Sequence, residues 1–326
     1  MLAVLGEVCL WPFFVFKSIR VEDKMKFTKM QGCGNDYVYV DCTQGFTIAD
    51  EAEAAQMVSD RHFGIGSDGL ILIKKGTKAD FEMVMYNADG SRSQMCGNGI
   101  RCVGKYVYDA GYTTGREFTV ESMGAVKHLK VIKGGRGEKE TWLSVDMGSP
   151  ILEAGKIPVA VSGPSRASGT AVQSPVPELV EGRVIMHPLT VAGTEYKITC
   201  VSMGNPHAVV FIDKKPADFP VCELGPYFEN NSFFPERTNT EFAFVENRRT
   251  IWMRVWERGT GETLACGTGT CATVVAAILN NLVDAGEKIT VHLLGGDLQI
   301  EWSGRREDSV YMTGPAVTVF EGEIEL

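Results

Sequence analysis

The sequence predicts a strand-dominated α+β protein built as two similar halves. Three observations carry that expectation. The chain has 326 residues, and at roughly 150 residues per domain it has room for two domains. Its apolar segments are mostly short and bounded by glycine-rich turns, the pattern of strands. Finally, landmarks recur at one offset of 170 positions. Cys96-Gly97-Asn98-Gly99 matches Cys266-Gly267-Thr268-Gly269, and Asn35 of a Gly-Asn-Asp run matches Asn205 of a Gly-Asn-Pro run. Gly69 matches Asn239, and Asn87 matches Glu257, each nine residues before its cysteine. A common offset of this kind indicates an internal duplication.

The elements follow in order. Lys26–Val40 reads as a strand, a turn at Gly32-Cys33-Gly34-Asn35, and a second strand that continues to Asp41. Ala49–Arg61, rich in Ala, Glu and Met, reads as a helix. Gly69–Lys74 and Phe81–Tyr86 read as strands. Gly99–Ala110 reads as a helix stopped by Gly111. Phe118–Ser122, Ala125–Ile132 and Thr141–Asp146 continue the strand pattern. The second half repeats the plan with strands at Lys197–Val201, Ala208–Ile212, Glu241–Glu246 and Thr250–Trp256. Thr270–Leu282 is a helix apolar nearly all round, so it is expected to be buried. Strands at Ile289–Leu294, Asp297–Trp302, Ser309–Met312 and Val317–Ile324 close the chain. Residues 162–183, rich in Ser, Pro and Gly, read as an inserted surface loop. Residues 1–24 read as a leader, either disordered or an artefact of an upstream start, with the fold beginning near Met25. The rival reading is a membrane-attached N-terminus. The apolar stretch Met1–Phe16 is shorter than the ~20 residues a spanning helix needs, and its positive charges follow it, where a signal peptide would place them first.

Composition narrows the function. Hydrophobic residues make up 44% and charged residues 22%, ordinary values for a globular protein. The net charge is −9, and no Lys/Arg block occurs, which argues against nucleic acid as a partner. The cysteines are Cys9, Cys33, Cys42, Cys96, Cys102, Cys200, Cys222, Cys266 and Cys271. An odd number of cysteines in a chain with a sizeable core points to a reducing cytoplasm, not a disulfide framework. The histidines are scattered and no Cys-x-x-Cys occurs, so no metal site reads out.

The chemistry lies in the paired Cys-Gly-x-Gly turns. A cysteine at the first turn of a helix meets free backbone N–H groups and the positive end of the dipole. That placement is expected to lower its pKa from about 8.5 towards roughly 3.5–7.5. The glycines let a ligand approach the backbone, and amides at Gly97, Asn98, Gly267 and Thr268 suit a carboxylate. A carboxylate held between two helix N-termini would place its α-carbon between two sulfurs. One thiolate then takes the α-proton while the other thiol delivers one from the opposite face, which inverts the centre without a cofactor. A single Cys-Gly-x-Gly is more often a small buried cysteine at a helix start. Two copies at the duplication offset reverse that balance. A redox-sensing pair is the other sharp reading, but it leaves the offset of the surrounding polar residues unexplained. Gly64–Gly69 formally matches the dinucleotide pattern, yet a helix precedes it and a strand follows, the reverse of a nucleotide turn. A lone histidine such as His207 is more often structural. Glu257-Arg258 in isolation would be a solvated charge pair, but the match of Glu257 to Asn87 favours a role in the site.

At these residues the chain resembles the diaminopimelate epimerase family. The segments are Gly32–Tyr37 (GCGNDY), Arg61–Gly69 (RHFGIGSDG), Tyr86–Cys102 (YNADGSRSQMCGNGIRC), Val201–Ala208 (VSMGNPHA), Arg237–Phe242 (RTNTEF), Trp256–Ala272 (WERGTGETLACGTGTCA) and Gly295–Phe320. They span Met25 to the C-terminus except for the loop at 162–183. The resemblance implies a cofactor-independent isomerase that interconverts LL- and meso-diaminopimelate for lysine and peptidoglycan synthesis. It implies two pseudo-symmetric domains, each of mainly antiparallel sheets wrapped around a central helix, with the site between them. The C-terminal segment would return to the first domain, giving 25–140 plus 312–326 and then 141–311. Carried over by motif, Cys96 and Cys266 are the acid/base pair. Gly97, Asn98, Gly267 and Thr268 hold the reacting carboxylate. Asn35, Asn87, Asn205, Asn239, Glu257 and Arg258 hold the rest of the substrate, while His207 and Glu257 tune the thiols. No metal or cofactor is implied, and a homodimer is among the expectations. Position 69 is Gly where some members carry a substrate-contacting Gln, so Gly69 is left out of the site. The runner-up is a related cofactor-free racemase acting on histidine or proline. Proline-type chains tend to carry His after the first Cys-Gly, where this chain has Asn98.

Overall fold

The computed structural model describes residues 24–92, 96–160 and 182–325. Most of the expected leader and of the expected insertion lies outside the described residues. The first half runs β1 (Lys24–Gly32), β2 (Asn35–Asp41), α1 (Glu51–Ser59), β3 (Gly69–Lys75), β4 (Phe81–Asn87), α2 (Gly97–Asp109), β5 (Glu117–Ser122), β6 (Ala125–Lys133) and β7 (Glu140–Asp146). The second runs β8 (His187–Val191), β9 (Thr194–Ser202), β10 (Pro206–Phe211), α3 (Val221–Glu229), β11 (Asn239–Asn247), β12 (Thr250–Glu257), β13 (Gly261–Thr263), α4 (Gly267–Leu279), β14 (Ile289–Leu293), β15 (Gly296–Glu301) and β16 (Tyr311–Glu325).

The expected fold class holds: a strand-rich protein of two matched halves. The strands β1 to β7 pair in sequence order, and β16 pairs with both β7 and β1, closing a ring. Helix α2 packs inside it against β1, β2, β6, β7 and β16. β7, just past the expected boundary at 140, pairs with β6 and β16 in this ring. The second run goes β16–β15–β14–β12–β11–β10–β9–β8, with α4 against β9, β10, β11, β15 and β16. Pairing is mainly antiparallel. The parallel pairs fall in matching places, β2–β3 and β4–β5 in one half, β10–β11 and β12–β14 in the other.

Local chemistry explains the elements. Cys33 and Gly34, at φ +53° and +83°, form the two-residue hairpin between β1 and β2, the geometry that matches strand twist. Asp50 caps α1 by accepting from the Ala52 and Glu53 amides. Buried on nearly every face, α4 forms the centre of the second half as its composition required.

Several details differ from the sequence reading, among them the short strand β13. Helix α3 was not expected, although it lies 170 residues after α1. Its sequence holds Gly225 and Pro226, poor helix formers. Tertiary packing overrides them: a methyl on Gly225 would sit 2.3 Å from the Trp256 ring. Strand β8 was hidden by Pro188 beside the Ser/Pro-rich segment. The two expected final strands are one strand, continuous through Gly314 and Pro315. Both central helices start earlier than read, directly after their cysteines, and α4 ends at Leu279, where Asn281 turns left-handed at φ +57°.

Candidate active site

The two central helices meet nose to nose. A methyl built on Gly97 would lie 3.6 Å from the Gly267 Cα, and one on Gly267 would lie 3.4 Å from the Gly97 Cα. What crowds a side chain at these two glycines is Met312, whose Cε would lie 2.9 Å from a methyl on Gly97 and whose Sδ would lie 3.1 Å from one on Gly267. Asn98 Nδ2 bridges the halves by donating to the Ala265 carbonyl at 3.2 Å. Arg101, fully buried, holds Asn98 Oδ1 at 2.9 Å and also reaches the Gly97 and Pro315 carbonyls.

Each cysteine is the N-cap of its helix. Cys96 and Cys266 share φ −118° with ψ 115° and 111°, and each sulfur accepts the amide N–H three residues on, at 3.3 Å from Gly99 and 3.4 Å from Gly269. The placement is therefore as expected, but burial opposes the expected lowering of the thiol pKa. Burial pushes the Cys96 thiol above its ordinary value, outweighing the pull of the Gly99 and Asn98 amides. Cys266 is pushed well above, first by burial and then by the Glu257 and Glu241 carboxylates. The correction has a simple cause. Sequence shows the helix dipole, whereas the loss of water around the sulfur arises only from tertiary packing.

The polar residues fall around these sulfurs. The Cys96 S–H donates to Asn35 Oδ1 at 2.9 Å, and Asn35 Nδ2 donates to Asp68 Oδ2 at 2.7 Å. Arg61 fixes Asp68 and Asp36 at 3.0 Å each. On the other side, Cys266 Sγ lies 3.5 Å from Thr268 Oγ1. Glu257 accepts from Thr263 Oγ1 at 2.5 Å, and burial raises its carboxyl above the ordinary value. Its charge raises both thiols, which places Glu257 beside the pair. The ring nitrogens of His207 are engaged by Glu241 Oε1 at 2.7 Å and Asn205 Oδ1 at 3.0 Å, not by a sulfur. Buried Asn239 accepts the Arg258 amide N–H at 2.7 Å, and Arg258 Nη1 donates to the Glu236 carbonyl at 2.8 Å. Asn87 stands apart from the sulfurs in these contacts. It bonds Ser91 Oγ at 2.9 Å and faces Gly69 across β3–β4. Gly69 itself is required by packing, since a methyl there would meet the Tyr86 carbonyl at 2.1 Å.

Sequence reasoning passed over Asp68, Arg61, Arg101 and Glu241. A signal existed for two of them. Arg101 and Glu241 are charges within otherwise apolar segments. Gly64–Gly69 lies between α1 and β3, consistent with rejecting a nucleotide turn, and its Asp68 orients Asn35 instead. Among the described residues no helix is long and apolar enough to cross a membrane.

Comparison with known proteins decides the family. The model of the family described as "Diaminopimelate epimerase" matches residues 27–153 and 199–319. The chain belongs to the diaminopimelate epimerase family. A relative named diaminopimelate epimerase from Agathobacter rectalis is 52% identical over 302 residues, covering 93% of this chain and 100% of the relative. One from Acetivibrio thermocellus is 49% identical over 303 residues, covering 93% of this chain and 99% of its own. Two solved structures share the fold at low identity. A Bacillus anthracis phenazine biosynthesis protein of the PhzF family has a TM-score of 0.62 at 15% identity, with coverage of 93% and 100%. A hydroxyproline epimerase from Agrobacterium vitis has a TM-score of 0.59 at 12% identity, with coverage of 94% and 92%. These two structures share the fold, and in this chain thiols cap the two opposed helices at its centre.

Proposed function

We infer that the protein is an isomerase that converts LL-2,6-diaminopimelate to meso-diaminopimelate by acid/base chemistry between two thiols. The observation that carries this reading is the pair of N-capping cysteines on helices whose N-termini meet at Gly97 and Gly267. Amides of Gly97, Asn98, Gly267 and Thr268 receive the reacting carboxylate, where helix dipoles favour negative charge. As the α-proton leaves, charge spreads onto that carboxylate, and fixed donors stabilise it most in the transition state. One of Cys96 and Cys266 removes the proton and the other supplies one from the opposite face. Asn35, Asn87, Asn205 and Asn239 offer amides to the remainder of the substrate. Glu257 suits an ammonium group, and Arg258 suits the distal carboxylate through a bidentate pair. His207 and Glu257 tune the thiols, His207 by way of its neighbours. The described cysteines are free, which supports a reducing cytoplasm; the family match supports a place in lysine and peptidoglycan-precursor synthesis.

The test is direct. Reduced protein is incubated separately with LL-diaminopimelate, L-proline and L-histidine, and the stereoisomers are resolved by chiral chromatography. The meso isomer is expected from the first, with no inversion of the other two. Inversion of proline or histidine, with diaminopimelate untouched, would overturn the substrate assignment.

A further inference from the structure

The two halves give their matched cysteines unequal surroundings. In the first half, β3 presents Ile71 against the start of α2, where a methyl on Gly99 would lie 2.9 Å from Ile71 Cδ1. At the same offset in the second half, β11 presents Glu241 against the start of α4, where a methyl on Gly269 would lie 2.5 Å from Glu241 Oε1 and 3.2 Å from Cys266 Sγ. A carboxylate thus replaces an aliphatic group behind one sulfur only. Likewise β2 carries Tyr37 where β10 carries His207.

Glu241 is fully buried between Thr240 and Phe242. Its Oε1 is 2.7 Å from His207 Nδ1, while its Oε2 has no hydrogen-bond partner among the described residues. Burying a carboxyl group with one oxygen unpaired is costly, and nothing in the packing of β11 demands it, since Ile71 fills the matching place in the first half. His207 meets its own limit, because its other nitrogen lies 3.0 Å from Asn205 Oδ1. The ionisable groups that act on Cys266 are then Glu257 from β12 and Glu241 from β11, with His207 from β10 held on Glu241 and Cys96 at the head of α2. Cys96 instead gives its hydrogen to a neutral amide, Asn35 Oδ1, with Ile71 behind it.

We propose that Glu241 is a positioning residue that makes the two thiols unequal, holding the hydrogen on Cys266 and leaving Cys96 to form the first thiolate. The proposal rests on the two-thiol reading above but is tested without turnover. Once Cys96 ionises, a base stands on one face and a ready acid on the other, a pair divided in role. Burial, then Glu257 and Glu241, push the Cys266 thiol up, which agrees with this division.

The test is the pH dependence of iodoacetamide alkylation at each cysteine, read by peptide mass spectrometry in the full-length reduced protein. In Glu241→Gln the side chain keeps its size and its bond to His207 but loses its charge. The alkylation rate of Cys266 at pH 7.5 is expected to rise about ten-fold, one pKa unit, with Cys96 changed less than about two-fold. A second variant, Glu241→Ile, copies the first half and is expected to shift the same cysteine in the same direction. Turnover of LL-diaminopimelate is measured on the same wild-type sample, so loss of the functional reading is seen separately. Equal rates for Cys266 in wild type and both variants, or equal acceleration of both cysteines, would overturn the role of Glu241. A purely structural role would be satisfied by Gln and would leave the rate of Cys266 unmoved.

Discussion

Cys96→Ala and Cys266→Ala are each expected to lower kcat for LL-to-meso conversion by about 10²–10⁴-fold, the range general acid–base groups contribute. The two losses should be similar in size. Each turnover needs both a base and an acid, and each sulfur sits at the cap of its own helix. The double variant should be little worse than either single one, because residues that act as a unit are strongly non-additive. KM should change less than kcat, since the backbone amides that receive the carboxylate remain. Stability should fall only modestly: the thiols cap their helices through single N–H···S contacts of 3.3 and 3.4 Å. Steady-state kinetics with a thermal melt on each variant checks this. Single variants retaining more than about a tenth of wild-type kcat would show that a sulfur is not the acid or base.

The pH profile is the second large effect, and its sign follows from burial. Both thiols lie above their ordinary value in the free protein. At neutral pH each is therefore mostly protonated and the base form is scarce. Below the lower of the two values, each unit of pH raises the thiolate fraction about ten-fold, so kcat/KM should climb steeply from pH 6 to pH 8. Once the second thiol also ionises, the acid is lost and the profile should turn down. A thiolate stabilised by the helix dipole alone would instead give a profile flat across neutrality. A flat or falling kcat/KM between pH 6 and pH 8 would contradict the burial argument. The contrast with the expectation from sequence is instructive, because only the folded interior reveals which influence is larger.

Much of the fold was legible because duplication writes the same physics twice. The offset of 170 aligns the cysteine caps, the helices α2 and α4, and the strand pairs β3–β4 and β11–β12. What failed was local. Applied strictly, the offset places α3 opposite α1, but Gly225 and Pro226 are poor helix formers, and only contact with Trp256 explains the glycine. Pro315 split β16 on paper, yet in the structure its carbonyl accepts from the buried Arg101 and the strand runs on. Within the site, motif residues were found because glycine and asparagine stand out in turns. Glu241 and Arg101 were not, because partners that define them, His207 and Pro315, are distant in sequence. The asymmetry between halves, Ile71 against Glu241 and Tyr37 against His207, becomes meaningful only once Ile71 and Glu241 are seen packed against the starts of α2 and α4.

The most direct test of the two-thiol account is the fate of the α-hydrogen in heavy water. LL-diaminopimelate is converted in D₂O by the reduced protein, and product and remaining substrate are analysed at low conversion by mass spectrometry. Separate sulfurs on opposite faces predict that the product carries one solvent deuterium at the inverted centre, because the donating thiol has already exchanged with solvent. The remaining substrate should stay largely unlabelled. Product that retains its original α-hydrogen would mean that a single group carries the proton across, and would contradict the account.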